Sequence, residues 1–250
     1  MNEEIIQKLL GINQQFYEEF GSAFSATRQR IQPGVRRFLS ELATDGDWLD
    51  LGCGSGALGC EWQKSGLRGS YTGLDFSETL LTEALRVTAG LSGAEFQIDY
   101  LQADLLDPEW DRLFSQRKFD GICAFAALHH IPDSRIRSRI FEKVNSLLKP
   151  GGTFVYSVWQ FQNSEKLMSR VLPWETVGLQ AADLEPRDTL LDWRFTLPGE
   201  PEKTGQRYVH LFEAEELSDL AAQAGFRIVD TFFSDGKSEN LALYQVAKKN

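Results

Sequence analysis

The stretch that most constrains this chain is residues 48 to 56, WLDLGCGSG. Trp48, Leu49 and Leu51 bracket Asp50 in a short apolar run of the kind that forms a buried strand. Glycines follow at every second position, Gly52, Gly54 and Gly56, and Gly59 falls inside the helix expected to start near Ala57. Glycines this dense let the backbone turn sharply and let a ligand lie against the main chain with no Cβ between. The expected unit is a strand, a tight loop and a helix N-terminus that together face a bound molecule. The rest of the chain reads as scaffold for that loop.

At 250 residues the chain supports one large α/β domain with room for an insertion. Its longest apolar runs are too short to span a bilayer, and Glu3, Glu4, Glu18 and Glu19 interrupt the first 20 residues. No signal peptide or membrane segment is expected, and the predicted location is cytoplasmic. Cys53, Cys60 and Cys123 form neither a disulfide framework nor a zinc spacing. With only His129, His130 and His210 as imidazoles, no metal is predicted. The net charge of -10 argues against a generic nucleic-acid binder, whose footprint is a basic face. Charge is uneven, however. Arg28, Arg30, Arg36 and Arg37 lie in an acid-free stretch from 21 to 40, and a second basic stretch covers 134 to 149. An ordinary solvated helix face is the more common outcome for such a patch.

Ile5, Ile6, Leu9, Leu10, Phe16 and Phe20 recur at helical spacing, predicting an amphipathic N-terminal helix weakened by Gly11. Residues 1 to 40 are expected to form a helical cap that folds over the cleft. A second strand, Tyr71 to Asp75, ends in an acid 19 residues after Gly56, with Phe76 next and Ser77 capping a helix. In a parallel nucleoside-binding sheet, an acid at that strand end accepts both ribose hydroxyls. Phe96, Ile98 and Tyr100 alternate in a third strand that ends in Ala103-Asp104-Leu105. Phe119 to Phe125 is the fourth, opening into Ala126-Ala127-Leu128-His129-His130. Ligands bind outside the carboxyl ends of parallel strands, so this loop is expected at the site. A helix capped by Asp133 or Ser134 leads to Pro150-Gly151-Gly152 and a fifth strand ending at Trp159. Residues 161 to 208 break the alternation, and their aromatics predict an ordered inserted lid. A helix from Glu213 to Ala224 and strands at Phe226 to Phe233 and Leu241 to Ala247 close the chain.

Gly54 to Gly59 also fits G-x-G-x-x-G, the dinucleotide fingerprint. Asp50 decides between ligands. A carboxylate there would repel a pyrophosphate but suits a cation. S-adenosyl-L-methionine (SAM) carries a sulfonium and an ammonium group and no phosphate. LDLGCGSG resembles the first motif of the Rossmann-like SAM-dependent methyltransferases, and LKPGGTFVYS resembles their turn into the fifth strand. That resemblance implies an α/β fold with a seven-stranded, mostly parallel sheet, an antiparallel C-terminal hairpin and helices on both faces. It implies SAM as cofactor, held by Asp50, Gly52, Cys53, Gly54 and Gly56 at the methionine and ribose. Asp75 and Phe76 follow at the ribose, Asp104 and Leu105 at the adenine, and Phe125 and Ala126 near the methyl.

YEEFGSAFSATR, HHI, DTLLDWRF and RYVHLFEAEEL are similar to one branch, the tRNA wobble-uridine methyltransferases that esterify a carboxymethyl group. Tyr17, Phe24, Ser25, Thr27 and Arg28 match its early pattern, and Arg207, Tyr208, His210, Leu211 and Phe212 its late one. Val209 stands where that branch usually has Tyr, and Asp192 where it has Pro before Trp193. The resemblance implies tRNA as substrate and a small activator subunit as a candidate partner. A carboxylate acceptor is already ionised at neutral pH and needs no general base. Arg28 and Arg207 are then candidates to hold it, Trp159 or Tyr208 to stack on the base, and His129 to act near the methyl. The alternatives are a small-molecule O- or N-methyltransferase and a non-catalytic SAM-binding subunit. The Asp50, Asp75 and Asp104 set argues against the last.

Overall fold

The structure is a computed structural model that describes residues 1–26, 31–93, 95–196 and 202–250, without the side chains of residues 22–26. Helix α1 (Glu3–Ala26) runs unbroken through Gly11, and α2 (Pro33–Arg37) continues into a wider turn at Phe38–Leu42. Then come β1 (Gly46–Leu51), α3 (Ala57–Lys64), β2 (Gly69–Asp75), α4 (Glu78–Val87) and β3 (Phe96–Gln102). Strand β4 (Phe119–Phe125), α5 (Ser134–Leu147) and β5 (Leu148–Trp159) complete the parallel part. After a short α6 (Glu165–Met168) the chain forms β6 (Val171–Leu172), β7 (Asp188–Phe195) and β8 (Lys203–His210). It ends in α7 (Ala214–Gln223), β9 (Phe226–Ser234) and β10 (Ala242–Lys249).

The main sheet has the order β3-β2-β1-β4-β5-β10-β9. The first five strands are parallel, and β10 runs antiparallel to both β5 and β9. The expected architecture is the observed one. Strand alternation divides the core between the two faces. Leu49 and Leu51 of β1 join Ile140 and Val144 of α5 and Leu217 of α7. Trp48 faces the other way, with Phe38, Trp62 of α3 and Tyr71 of β2. The strand order reverses between β1 and β4, which opens a crevice at their carboxyl ends.

The segment between β5 and α7 does not join that sheet. Strands β6, β7 and β8 form a separate antiparallel sheet, with β7 paired to β8 from Asp188↔His210 to Phe195↔Lys203. Helix α1 packs on β8. Phe16 and Phe20 stand edge-on or tilted to Trp193 at 5.4 and 5.2 Å between ring centres. They come so close to Gly205 that a Cβ there would meet both rings at 2.8 Å. Burying each aromatic is worth about 1.5–3 kcal/mol, which outweighs the roughly 1 kcal/mol that Gly11 costs the helix. Tertiary packing therefore carries α1 through the glycine.

Candidate active site

A cavity of about 330 Å³ lies at the carboxyl ends of the parallel strands. Its first wall is the glycine loop. Gly52 and Cys53 donate their backbone N–H groups to Leu74 O at 2.7 and 3.0 Å, which ties the end of β1 to β2. Gly54 has a positive φ and nothing within 4 Å of where a Cβ would stand, so its backbone forms an open cradle on the cavity. Its N–H donates to Asp75 Oδ2 at 2.9 Å, and Ser77 N–H donates to Asp75 Oδ1 at 2.9 Å. Asp75 keeps further lone pairs on the cavity side, where it is part of the lining. Burial outweighs those two bonds and raises its pKa.

Asp50 is deeper. Its carboxylate accepts from the Tyr71 hydroxyl and from the Cys123 thiol, a neighbour across the β1–β4 pairing. Burial pushes its pKa up to about 6. Asp104 lines the same end, accepting from Leu106 N–H at 3.0 Å, with Leu105 buried beside it. Burial raises the Asp104 pKa as well. Three carboxylates on one side of a cavity favour a ligand carrying a cation and hydrogen-bond donors, and disfavour a pyrophosphate. Open glycine backbone plus this donor-seeking wall fits SAM.

The opposite side is built by α1, the β4 loop, the end of β5 and β8. Phe125, Ala126, His129, Trp159 and Arg207 all line it. Arg207 is 3% exposed, its guanidinium carbon 5.0 Å from the centre of the Phe16 ring and 4.9 Å from that of Trp159. Aromatic faces stabilise a cation in such a place. His129 is buried, and its Nδ1 lies 3.3 Å from the Trp159 N–H, which donates to it. A neutral ring in that arrangement keeps its proton on Nε2. His130 Nδ1 faces Tyr208 O at 3.0 Å, a carbonyl that only accepts, so Nδ1 carries a proton there. The Tyr17 hydroxyl lies 3.2 Å from His130 Nε2, and the Tyr17 ring meets Phe76 edge-on.

Some expected residues are elsewhere. Tyr208 is not a wall of the cavity. Its side chain is buried beside Leu9 and Leu179, with its hydroxyl donating to Asp188 Oδ1 at 2.7 Å. Strand alternation is the reason, since Arg207 takes the cavity side of β8 and Tyr208 the other. Gly56 is the N-cap of α3 and packs on Ala84 and the Tyr100 hydroxyl rather than lining the cavity. Arg28 lies outside the described residues. Arg36 and Arg37 pair with acids, Glu61 for the first and Glu41 and Asp230 for the second. Sequence reading passed over Leu10, Asn13 and Gln14, which line the cavity with Tyr17. Their spacing of i, i+3, i+4 and i+7 is one face of a helix, and that stripe was the available signal.

His210 sits apart from the cavity. Its Nδ1 faces Asp188 Oδ1 at 2.7 Å and its Nε2 faces Glu216 Oε1 at 3.0 Å, so both nitrogens donate. Burial alone would lower its pKa, but these two carboxylates outweigh it and raise the value. Glu185, Asp188 and His210 are close enough to share a metal ion. Arg137 already bonds Glu185 at 2.6 Å, however, so the group reads as a charge network joining β7 and β8 to α5 and α7. No helix of the described residues is long and apolar enough to cross a membrane.

Known proteins agree with this geometry. A family model described as a methyltransferase domain matches residues 24–231. A provisionally named methyltransferase of Encephalitozoon cuniculi is 30% identical over 217 residues, covering 86% of this chain and 87% of that protein. The tRNA (carboxymethyluridine(34)-5-O)-methyltransferase of Schizosaccharomyces pombe is 24% identical over 230 residues, 86% of this chain and 89% of that one. A SAM-dependent methyltransferase of Clostridium acetobutylicum superposes with a TM-score of 0.63 at 17% identity, covering 95% and 98% of the two chains. The family match spans most of the chain, and it meets a glycine cradle and an acidic wall at the strand ends. The chain belongs to the methyltransferase domain family and is a SAM-dependent methyltransferase.

Proposed function

We propose that the enzyme methylates a carboxymethyl group on a tRNA wobble uridine. The observation that carries this reading is the polarity of the cavity. Its acids stand on one side and a buried arginine between two aromatic rings on the other. The acidic side suits the cofactor, and the arginine suits an anionic acceptor. The activity of the fission-yeast relative supports a carboxymethyluridine as that acceptor.

In this reading Asp50 pairs with the cofactor's ammonium group, Asp75 accepts from the ribose hydroxyls and Asp104 receives the adenine amine beside Leu105. SAM, when bound, would supply an electrophilic methyl group to the acceptor oxygen, the C–S bond breaking as the O–C bond forms and a neutral thioether leaving. The protein's part is alignment and exclusion of water. Arg207 orients the ionised carboxylate, Trp159 stacks on the base, and His129 donates from Nε2 rather than acting as a base. Residues 1 to 40 serve as a cap and 161 to 208 as a lid on one catalytic domain. Replacing Asp75 with alanine is expected to weaken SAM binding by about 1–3 kcal/mol, because ribose donors and the Gly54 N–H lose their acceptor together. Calorimetry checks it, and unchanged affinity removes Asp75 from the cofactor site.

A small-molecule acceptor is the second reading. It is favoured by the aromatic chamber and by the ion pairs that engage Arg36 and Arg37, two of the arginines a basic rim would draw on. The deciding experiment incubates the protein with undermodified tRNA and labelled SAM, with and without a candidate activator subunit, and analyses total nucleosides by mass spectrometry. A labelled methyl ester on the wobble uridine is the expected product. Turnover of a small carboxylate or phenol with no labelled tRNA would select the second reading.

A further inference from the structure

Strand β8 is an outer strand of the three-stranded sheet, so half of its peptide groups point away from β7. At Tyr208 both of those groups are taken by one side chain. Tyr208 N–H donates to Asn13 Oδ1 at 2.9 Å, and Asn13 Nδ2 donates to Tyr208 O at 3.2 Å. An asparagine amide offers the same donor and acceptor as a peptide, so α1 here stands in for a missing strand. His130 Nδ1 adds a second donor to the same carbonyl at 3.0 Å. Asn13 Nδ2 also reaches His130 O at 3.4 Å. Asn13 is 6% exposed, and the peptide it grips directly follows Arg207.

We propose that Asn13 is a positioning residue for the acceptor, acting through Arg207. A residue has two soft dihedrals, one on each side of its Cα, and a guanidinium on a long side chain magnifies any rotation of its backbone. Clamping Tyr208 at its N–H, which belongs to the peptide joining it to Arg207, and at its C=O restricts that freedom on the carboxyl side of Arg207. The same clamp couples the seating of α1 to the place of the cation in the cavity. Closure of the helix and readiness of the acceptor site are then one event. The inference rests on the reading of Arg207 as the partner of an anionic acceptor.

The test measures KM and kcat for carboxymethyluridine-bearing tRNA, together with SAM affinity by calorimetry, in the full-length protein. Asn13→Leu is expected to raise the acceptor KM roughly tenfold with SAM affinity within about twofold. In an Arg207→Ala background the same change should add less than about twofold, because its route of action is already gone. Asn13→Asp keeps the acceptor for Tyr208 N–H but, when ionised, sets a charge against two carbonyls. Protonation restores a donor, so its activity relative to wild type should rise as the pH falls. Read as the acceptor KM at pH values where thermal melts show the variant folded, that dependence is separate from a stability defect, and it serves if Asn13→Leu folds poorly. Full additivity of Asn13→Leu with Arg207→Ala, or a flat relative pH profile for Asn13→Asp, overturns the positioning role alone. Wild-type turnover that is absent, or indifferent to Arg207→Ala, overturns the acceptor reading and this proposal with it.

Discussion

Arg207→Ala is expected to lower kcat/KM for a carboxylate acceptor by about a hundredfold, equivalent to ~3 kcal/mol, while SAM affinity stays within about twofold. The cation is buried between Phe16 and Trp159, where charge-assisted bonds to a ligand are little screened by water. Arg207→Lys should recover little of the loss. Lysine keeps the charge but not the planar fork that stacks between rings and meets a carboxylate with two parallel bonds. Steady-state kinetics with a carboxylate acceptor and a neutral analogue separate the effects. Equal losses for both acceptors would mean that Arg207 supports the fold of the chamber rather than the acceptor's charge.

The second large effect lies at Asp50 and depends on pH. Its pKa in the folded protein is about 6, above the ordinary carboxylate value near 4, because burial disfavours the charged form. The folded state therefore holds this proton more tightly than the unfolded chain does. That contribution to stability is full below about pH 4 and is lost as the pH rises through 6. At pH 7.5 the ionised group leaves the cofactor-free protein less stable by an amount on the order of 3 kcal/mol. An ammonium group beside it would relieve that strain, so SAM affinity should rise with pH between 5 and 7. Asp50→Asn should raise the melting temperature of the cofactor-free protein at pH 7.5, weaken SAM binding, and flatten its dependence on pH. Thermal melts and calorimetry at three pH values check all three. An asparagine variant that binds SAM as tightly as wild type at pH 7.5 would detach Asp50 from the cofactor's charge.

These effects differ in how far the sequence foretold them. Asp50 and Asp75 lie at the carboxyl ends of β1 and β2 and Asp104 two residues beyond β3, and each strand is a local run of apolar or alternating residues. Parallel strands put their carboxyl ends on one edge, so position along the chain was enough to gather the three acids. The glycine loop was legible for the same local reason, as was the helix cap at Ser77, while the structure chose Asp133 over Ser134 for the other. Arg207 and Tyr208 were both candidates by resemblance. Only the register of β7 against β8 chose between them, turning one side chain to the cavity and its neighbour to Asp188.

What a sequence of this kind determines alone is its order of strands and helices, the loop at its first strand and the acids around it, because each is written in the periodicity of fewer than about ten residues. What the tertiary structure decided is which distant groups meet. Asp50 shares its proton environment with Tyr71 and Cys123 through the pairing of β1 with both its neighbours. Asn13 reaches Tyr208 across 195 residues, and Arg207 lies between rings from α1 and β5. Such contacts have no local signature. They exist because a helix that buries Phe16 and Phe20 against Gly205 must also present its next face, Asn13 and Tyr17, to the cavity.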